Sequence, residues 1–339
     1  MSGDPLDLLV VGAGPTGIAL GAEARRAGLD CLLVERGALV ESLLGYPAEM
    51  VFFTTRERLE IAGVPFPLPE EKPNRRQAIA YYQAVAAAFR LECALHEEVE
   101  SIRPGEDGFR VRSRGRDGEV TRRARAVAVA TGYFANPLRL GVPGEDRPEV
   151  RRRYREPWEH FGEDVVVVGA GNSGAEAALE LFRHGARVTL VHRGAALKET
   201  VKYWLKPDLE NRIAEGSIQA LFEAEVLGFV DGAVVVRQGG RERRVPARAA
   251  YVLIGYEPEV RLLEEAGVTV DPATRIPAFD PATGETDVPG LYVAGTVQAG
   301  RETHRIFIEN SREHGPAIVR HLVARLRRGP PAVEAVAAK

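Results

Sequence analysis

A chain of 339 residues, 45% of them hydrophobic, is too long for one small core and suits two domains of ordinary size. A formal net charge of -3 gives no reason to expect a nucleic-acid partner, and no segment approaches the ~18 uninterrupted apolar residues of a membrane span. Polar Ser2, Gly3 and Asp4 lead straight into a strand without the charged start and apolar run of a signal peptide, so a cytoplasmic protein is expected.

Along the chain, one unit occurs twice. Residues 7–17 read DLLVVGAGPTG: an acidic start, an apolar run of strand length and a Gly-x-Gly-x-x-Gly turn. An Ala-rich helical stretch, IALGAEARRAG, follows, and then a second apolar strand, CLLVERG. Residues 164–174 read DVVVVGAGNSG and are followed by AEAALELFRHG and VTLVHRG in the same order. In such a strand-turn-helix unit the first glycine allows the tight turn, the second lets the backbone approach a pyrophosphate, and the third permits close helix packing. Amides at the helix start then face the phosphates.

Between the copies lie the strand VAVATGYFANP (127–137) and the run Arg151, Arg152, Arg153 and Arg155, read as a solvated linker face. The two cysteines, Cys31 in a predicted strand and Cys93 in an apolar stretch before LHEEVE, form neither a Cys-x-x-Cys pair nor a metal cluster. A buried structural role is expected for each. After the second copy, YVLIGYEPEV (251–260) matches 127–137: both are apolar strands that break at Gly-Tyr and run into proline. LYVAGTVQAG (291–300) adds a last strand, and a tail from Gly329 rich in proline and small residues is expected to be disordered.

The ends of the second strands tell the two sites apart. Glu35 stands 23 residues after Gly12, where a carboxylate accepts from both hydroxyls of an adenosine ribose without a 2′-phosphate. The matching position after Gly169 is His192, followed by Arg193, a basic pair suited to a 2′-phosphate. The first site therefore reads as FAD, formed by Gly12, Gly14, Pro15, Thr16, Gly17, Glu35 and Arg36, with Thr131, Gly132, Gly295 and Thr296. The second reads as NADPH, formed by Gly169, Gly171, Asn172, Ser173, Gly174, Glu176, His192, Arg193 and Gly255. The expected fold is α/β, two Rossmann-like dinucleotide-binding domains with the second inserted in the first. An FAD domain would take 1–140 and 257–330, an NADPH domain 141–256, and the tail 331–339. No catalytic residue and no metal site is assigned.

The order of these motifs resembles the thioredoxin-reductase-like flavoproteins, small pyridine-nucleotide disulfide oxidoreductases without a separate dimerisation domain. In thioredoxin reductases a Cys-x-x-Cys pair precedes the second glycine turn, whereas EDRPEVRRRYREPWEHFGED (145–164) has no cysteine, so the dithiol relay is absent. A closer resemblance is to the YpdA group of bacillithiol disulfide reductases. It lies in YPAEMVFFTT (46–55), KPNRRQAIAYYQAV (72–85), KYWLKPDLENRIAEGSI (202–218) and RIFIENSREHG (305–315). That group carries a cysteine before the last glycine of the first turn, and this chain has Thr16. Threonine cannot act as a thiolate. Either the flavin reduces its substrate without a protein thiol, or the substrate differs.

The resemblance implies contacts of Asn172, Ser173 and Glu176 to NADPH, with Glu176 near the nicotinamide; a solvent-facing helix glutamate is the alternative. It also sets Thr296 where many relatives have an aspartate bonded to the ribityl chain, and implies a homodimer or tetramer. Glu309, Asn310 and His314, in a polar helix start after an apolar strand, either cap that helix or approach the flavin. Tyr203 and Trp204 either cover the nicotinamide or fill core, with core favoured. The implied reaction is reduction of a small disulfide, bacillithiol disulfide being the candidate, by hydride from NADPH through FAD. A ferredoxin, flavodoxin or quinone reductase of the same fold stays open. A flavin monooxygenase is less favoured, because its Phe-x-Gly-x-x-x-His signature is missing between Gly132 and Gly169.

Overall fold

A computed structural model describes residues 4–328, and the expected tail at 331–339 lies outside the described residues. The described residues form two compact units, one built from 4–44, 51–133 and 258–328, the other from 45–50 and 134–257.

In the first unit, β1 (Leu6–Val11), β2 (Cys31–Glu35) and β3 (Glu92–Leu95) are parallel neighbours, and β1 also pairs in parallel with β6 (Gly118–Val129). β6 is long because its two halves do different work. Its first half continues an antiparallel meander with β4 (Glu98–Gly105) and β5 (Gly108–Gly115), and its last residues pair in parallel with Leu291–Val293. The sheet order is β3-β2-β1-β6-β5-β4. β1 is buried on both faces from Leu8 to Val11 because the run after Asp7 is apolar, as a parallel strand under helices must be. The helix Pro15–Arg26 starts with proline in its first turn and ends on Arg25 and Arg26, where cations meet the negative end of its dipole. The helix Arg75–Ala88 opens with a reciprocal cap: Asn74 Oδ1 accepts the Gln77 N–H, and Gln77 Oε1 accepts the Asn74 N–H, each at 2.9 Å.

The second unit is built on five parallel strands in the order β10-β9-β8-β14-β7. They are β7 (Val150–Arg151), β8 (Asp164–Val168), β9 (Arg187–Val191), β10 (Gln219–Leu221) and, after a three-stranded meander, β14 (Ala249–Val252). The meander is β11 (Ala224–Val230), β12 (Ala233–Gln238) and β13 (Arg241–Pro246). Val166, Val168, Val191, Val226, Val234 and Val236 form the core between sheet and meander. Each such side chain contributes about 1.5–3 kcal/mol by leaving water.

Several expectations are corrected. The strand in LYVAGTVQAG is only Leu291–Val293, after which Gly295–Ala299 winds into a 3-10 turn. Cys93 lies inside β3 and is half-buried, because β3 is a sheet edge; Cys31 is buried as expected. The arginine run is a solvated face only in part: Arg153 and Arg155 are exposed, whereas Arg151 and Arg152 are partly buried. Arg151 pairs with Glu159 and donates to Tyr251, Arg152 pairs with Asp146, and Arg153 donates to the Phe134 and Ala135 carbonyls. No helix among the described residues is long and apolar enough to cross a membrane.

Candidate functional site

The first glycine turn is shaped by steric exclusion. Gly12 has φ +106, and a Cβ there would meet the Ala130 carbonyl oxygen at 2.6 Å, so only glycine lets β1 turn against the end of β6. A Cβ on Gly17 would overlap the Gly12 carbonyl, so the third glycine sets the helix down on the turn. Gly14 differs. Its φ of -76 suits any residue, and the nearest atom to an added Cβ is Ser42 Oγ at 3.9 Å. Its bareness serves open space in front of a helix start that has no side-chain cap, the geometry that suits a pyrophosphate. The second turn repeats this. Gly169 at φ +114 abuts the Leu253 carbonyl, Gly174 abuts the Gly169 carbonyl, and Gly171 faces only Lys198 Cδ, at 3.9 Å.

Around the first turn the described residues converge as the sequence suggests. Glu35 Oε2 accepts the Ala13 N–H and Oε1 the Gly37 N–H, both at 2.9 Å, which fixes the carboxylate at the end of β2; Arg36 beside it is exposed. Pro15 fills the first helical turn, and Thr16 next to it shares a hydrogen bond of 3.0 Å with Ser311 Oγ. Gly132 at φ +69 leaves room for Thr296, whose Oγ1 lies 3.4 Å from where a Cβ would stand. Thr131 Oγ1 is buried without a hydrogen-bond partner. An orphaned hydroxyl beside an open pyrophosphate cradle fits a polar cofactor that supplies the missing bond.

Around the second turn the arrangement is more selective. His192 is half-buried, and burial, then Lys198 and Arg193, hold its imidazole below the ordinary range, so it is neutral at pH 7. The fixed positive charges beside it are Arg193 and Lys198, both exposed. Lys198 is a residue that sequence reading missed. It lies in a loop, its backbone N–H bonds Ala170 O at 3.2 Å, and only the folded loop brings it to the turn. Glu176 is not the solvent-facing alternative. Burial, then Glu180 one turn on, pushes its carboxyl up to about 7, so it carries a donor proton in part of the population near neutrality. Asn172 is committed to its own loop: Nδ2 donates to Thr200 O at 3.2 Å and Oδ1 accepts the Lys202 N–H at 2.9 Å. Ser173 is exposed, and Gly255 at φ +118 ends the segment after β14, where its carbonyl accepts the Leu138 N–H.

Two further expectations change. Tyr203 and Trp204 do not fill core: they are 81% and 43% exposed, stacked edge to face at 4.8 Å. Glu309, Asn310 and His314 follow no strand. Asn310 Oδ1 accepts the Phe307 N–H at 2.8 Å as a local cap, whereas His314 Nδ1 accepts the Gly295 N–H at 3.0 Å. The cap reading holds for Asn310 and not for His314, because the fold lays the 308–314 segment against the Gly295 turn.

Known proteins match this arrangement over nearly the whole chain. Residues 9–295 fit the family model for pyridine nucleotide-disulphide oxidoreductases. The bacilliredoxin reductase Bdr of Bacillus subtilis (strain 168) is 35% identical over 318 residues, 94% of this chain and 97% of that one. The bacillithiol disulfide reductase Bdr (YpdA) from Bacillus cereus superposes with a TM-score of 0.93 at 33% identity, covering 95% of this chain and 100% of that one. Its namesake from Staphylococcus aureus gives 0.89 at 31%, covering 95% and 99%. Open turns built twice, an orphaned hydroxyl at one and two cations at the other thus agree with the matches, and FAD and NADPH are the cofactors. The chain belongs to the pyridine nucleotide-disulphide oxidoreductases and, within them, is of the Bdr (YpdA) kind.

Proposed function

We propose that the enzyme oxidises NADPH and reduces a small disulfide, bacillithiol disulfide, to two thiols, one hydride and one proton being consumed per S–S bond. The first unit holds FAD and the second, nested in it along the chain, holds NADPH. When bound, the flavin supplies two-electron chemistry between a pyridine nucleotide and a disulfide. The protein positions and selects. Gly12 and Gly17 close the first turn around the open position at Gly14, and Glu35 faces the adenosine ribose. Thr131 offers its orphaned hydroxyl. Arg193 and Lys198 meet the 2′-phosphate, and Glu176, partly protonated, donates to the carboxamide end of NADPH. We place this chemistry in the cytoplasm and in a homodimer or tetramer.

The observation that carries direct reduction without a protein thiol is the placing of the cysteines. Cys31 begins β2, while Glu35 ends it, and ligands in open α/β sheets bind outside the carboxyl ends of strands. Burial pushes the Cys31 thiol up to about 12 and raises that of Cys93, so neither is a thiolate at neutral pH. In an anaerobic assay, enzyme reduced with NADPH should be reoxidised by bacillithiol disulfide, read from the return of flavin absorbance. The double variant C31S/C93S should keep at least about half the wild-type rate, well under a 1.4 kcal/mol change. Reoxidation by ferredoxin or a quinone but by no disulfide would remove the substrate assignment. Loss of rate in the double variant with both cofactors still bound would show a thiol relay.

A further inference from the structure

His314 opens the helix His314–Arg328, and its Nδ1 accepts the N–H of Gly295. An imidazole that accepts at Nδ1 is neutral and carries its proton on Nε2. Gly295 stands at φ +73, and a Cβ there would press on Thr16 Oγ1 at 3.0 Å. The turn is thus held between Thr16, itself bonded to Ser311, and the imidazole of His314. The next residue is Thr296, whose hydroxyl lies beside Gly132, the residue that follows the orphaned Thr131. The segment is also locked to the first helix at Gly315, where a Cβ would meet the Leu20 backbone at 3.2 Å.

Resting on the assignment of FAD to this unit, we propose that His314 is a positioning residue for the flavin: its neutral imidazole fixes the Gly295–Thr296 turn, and its protonation releases that turn and the cofactor. A protonated imidazole has no lone pair for the Gly295 N–H. Burial holds the group below its ordinary 6.5, against a smaller opposing pull from Glu313. The other residues that meet at this turn, Gly295, Thr296, Thr16 and Ser311, do not titrate. Retention is therefore complete above the ordinary imidazole value and is lost as pH falls through the depressed one.

Wild type, H314A and H314Q are loaded with FAD at about pH 8, and release is followed as the recovery of free-flavin fluorescence down to about pH 4.5. Wild type should release FAD at least ~10-fold faster on the acid side. H314A should release it that fast already at the start, with no acid limb. H314Q, whose amide oxygen can accept the same N–H and does not titrate, should hold FAD across the range. An acid limb in H314Q identical to that of wild type, or retention in H314A equal to wild type at every pH, overturns the proposal. If H314A does not fold, the comparison of H314Q with wild type decides alone. Wild type that binds no FAD at any pH overturns the FAD assignment with it, whereas unchanged variants of a yellow wild type remove only the role of His314.

Discussion

At the second glycine turn, nucleotide choice rests on the difference between a basic side chain and a charged one. His192 stands where the sequence places a cation, yet burial lowers its pKa, so the proposed partners of a 2′-phosphate are Arg193 and Lys198. R193A and K198A should each lower kcat/KM for NADPH by about tenfold, ~1.4 kcal/mol, with NADH hardly affected. Steady-state kinetics with both nucleotides at low and high salt check this, and the preference should shrink with salt because both cations are exposed. Equal use of NADPH and NADH by wild type would contradict it. Arg193 is legible from spacing alone. Lys198 is not, because its place depends on the path of a loop.

The glycines of each turn divide into two kinds at the level of the strand-turn-helix element. Gly12 and Gly17 have backbone where a side chain would go, whereas Gly14 has open space and an ordinary φ. G12A and G17A should therefore destabilise the protein even without FAD, by about 2 kcal/mol or more, from clash and, at Gly12, from positive φ as well. G14A should melt like wild type when free of FAD but bind FAD more weakly. Thermal melts of the apo proteins with FAD titrations separate the two outcomes; a G14A variant as unstable as G12A would refute the division. The Gly-x-Gly-x-x-Gly spacing announces the element and the role of each glycine; what the fold adds is that the clash at Gly12 comes from Ala130, far along the chain, whereas that at Gly17 comes from Gly12 itself.

For the molecule as a whole, the expectation is that each cofactor protects its own unit. In hydrogen exchange, FAD should slow peptides covering 8–40 and 290–315, and NADP+ should slow those covering 165–205, with stabilisation of about 2.7 kcal/mol at a hundredfold excess over Kd. Protection of 165–205 by FAD would reverse the assignment. The sequence by itself determined the parts that depend on local pattern. These are the two strand-turn-helix repeats, the carboxylate at Glu35 against the basic His192 and Arg193, and the absence of a dithiol before the second turn. Apolar run length, glycine spacing and residue type act within one element, so they can be read in order along the chain. Only the tertiary structure decided that 45–50 joins the second unit, that Tyr203 and Trp204 face solvent, that Glu176 is raised by burial, and that His314 holds Gly295. Each of these turns on desolvation or on a contact between distant segments. Such quantities exist only once strands and helices have packed, and no residue carries them in its own identity.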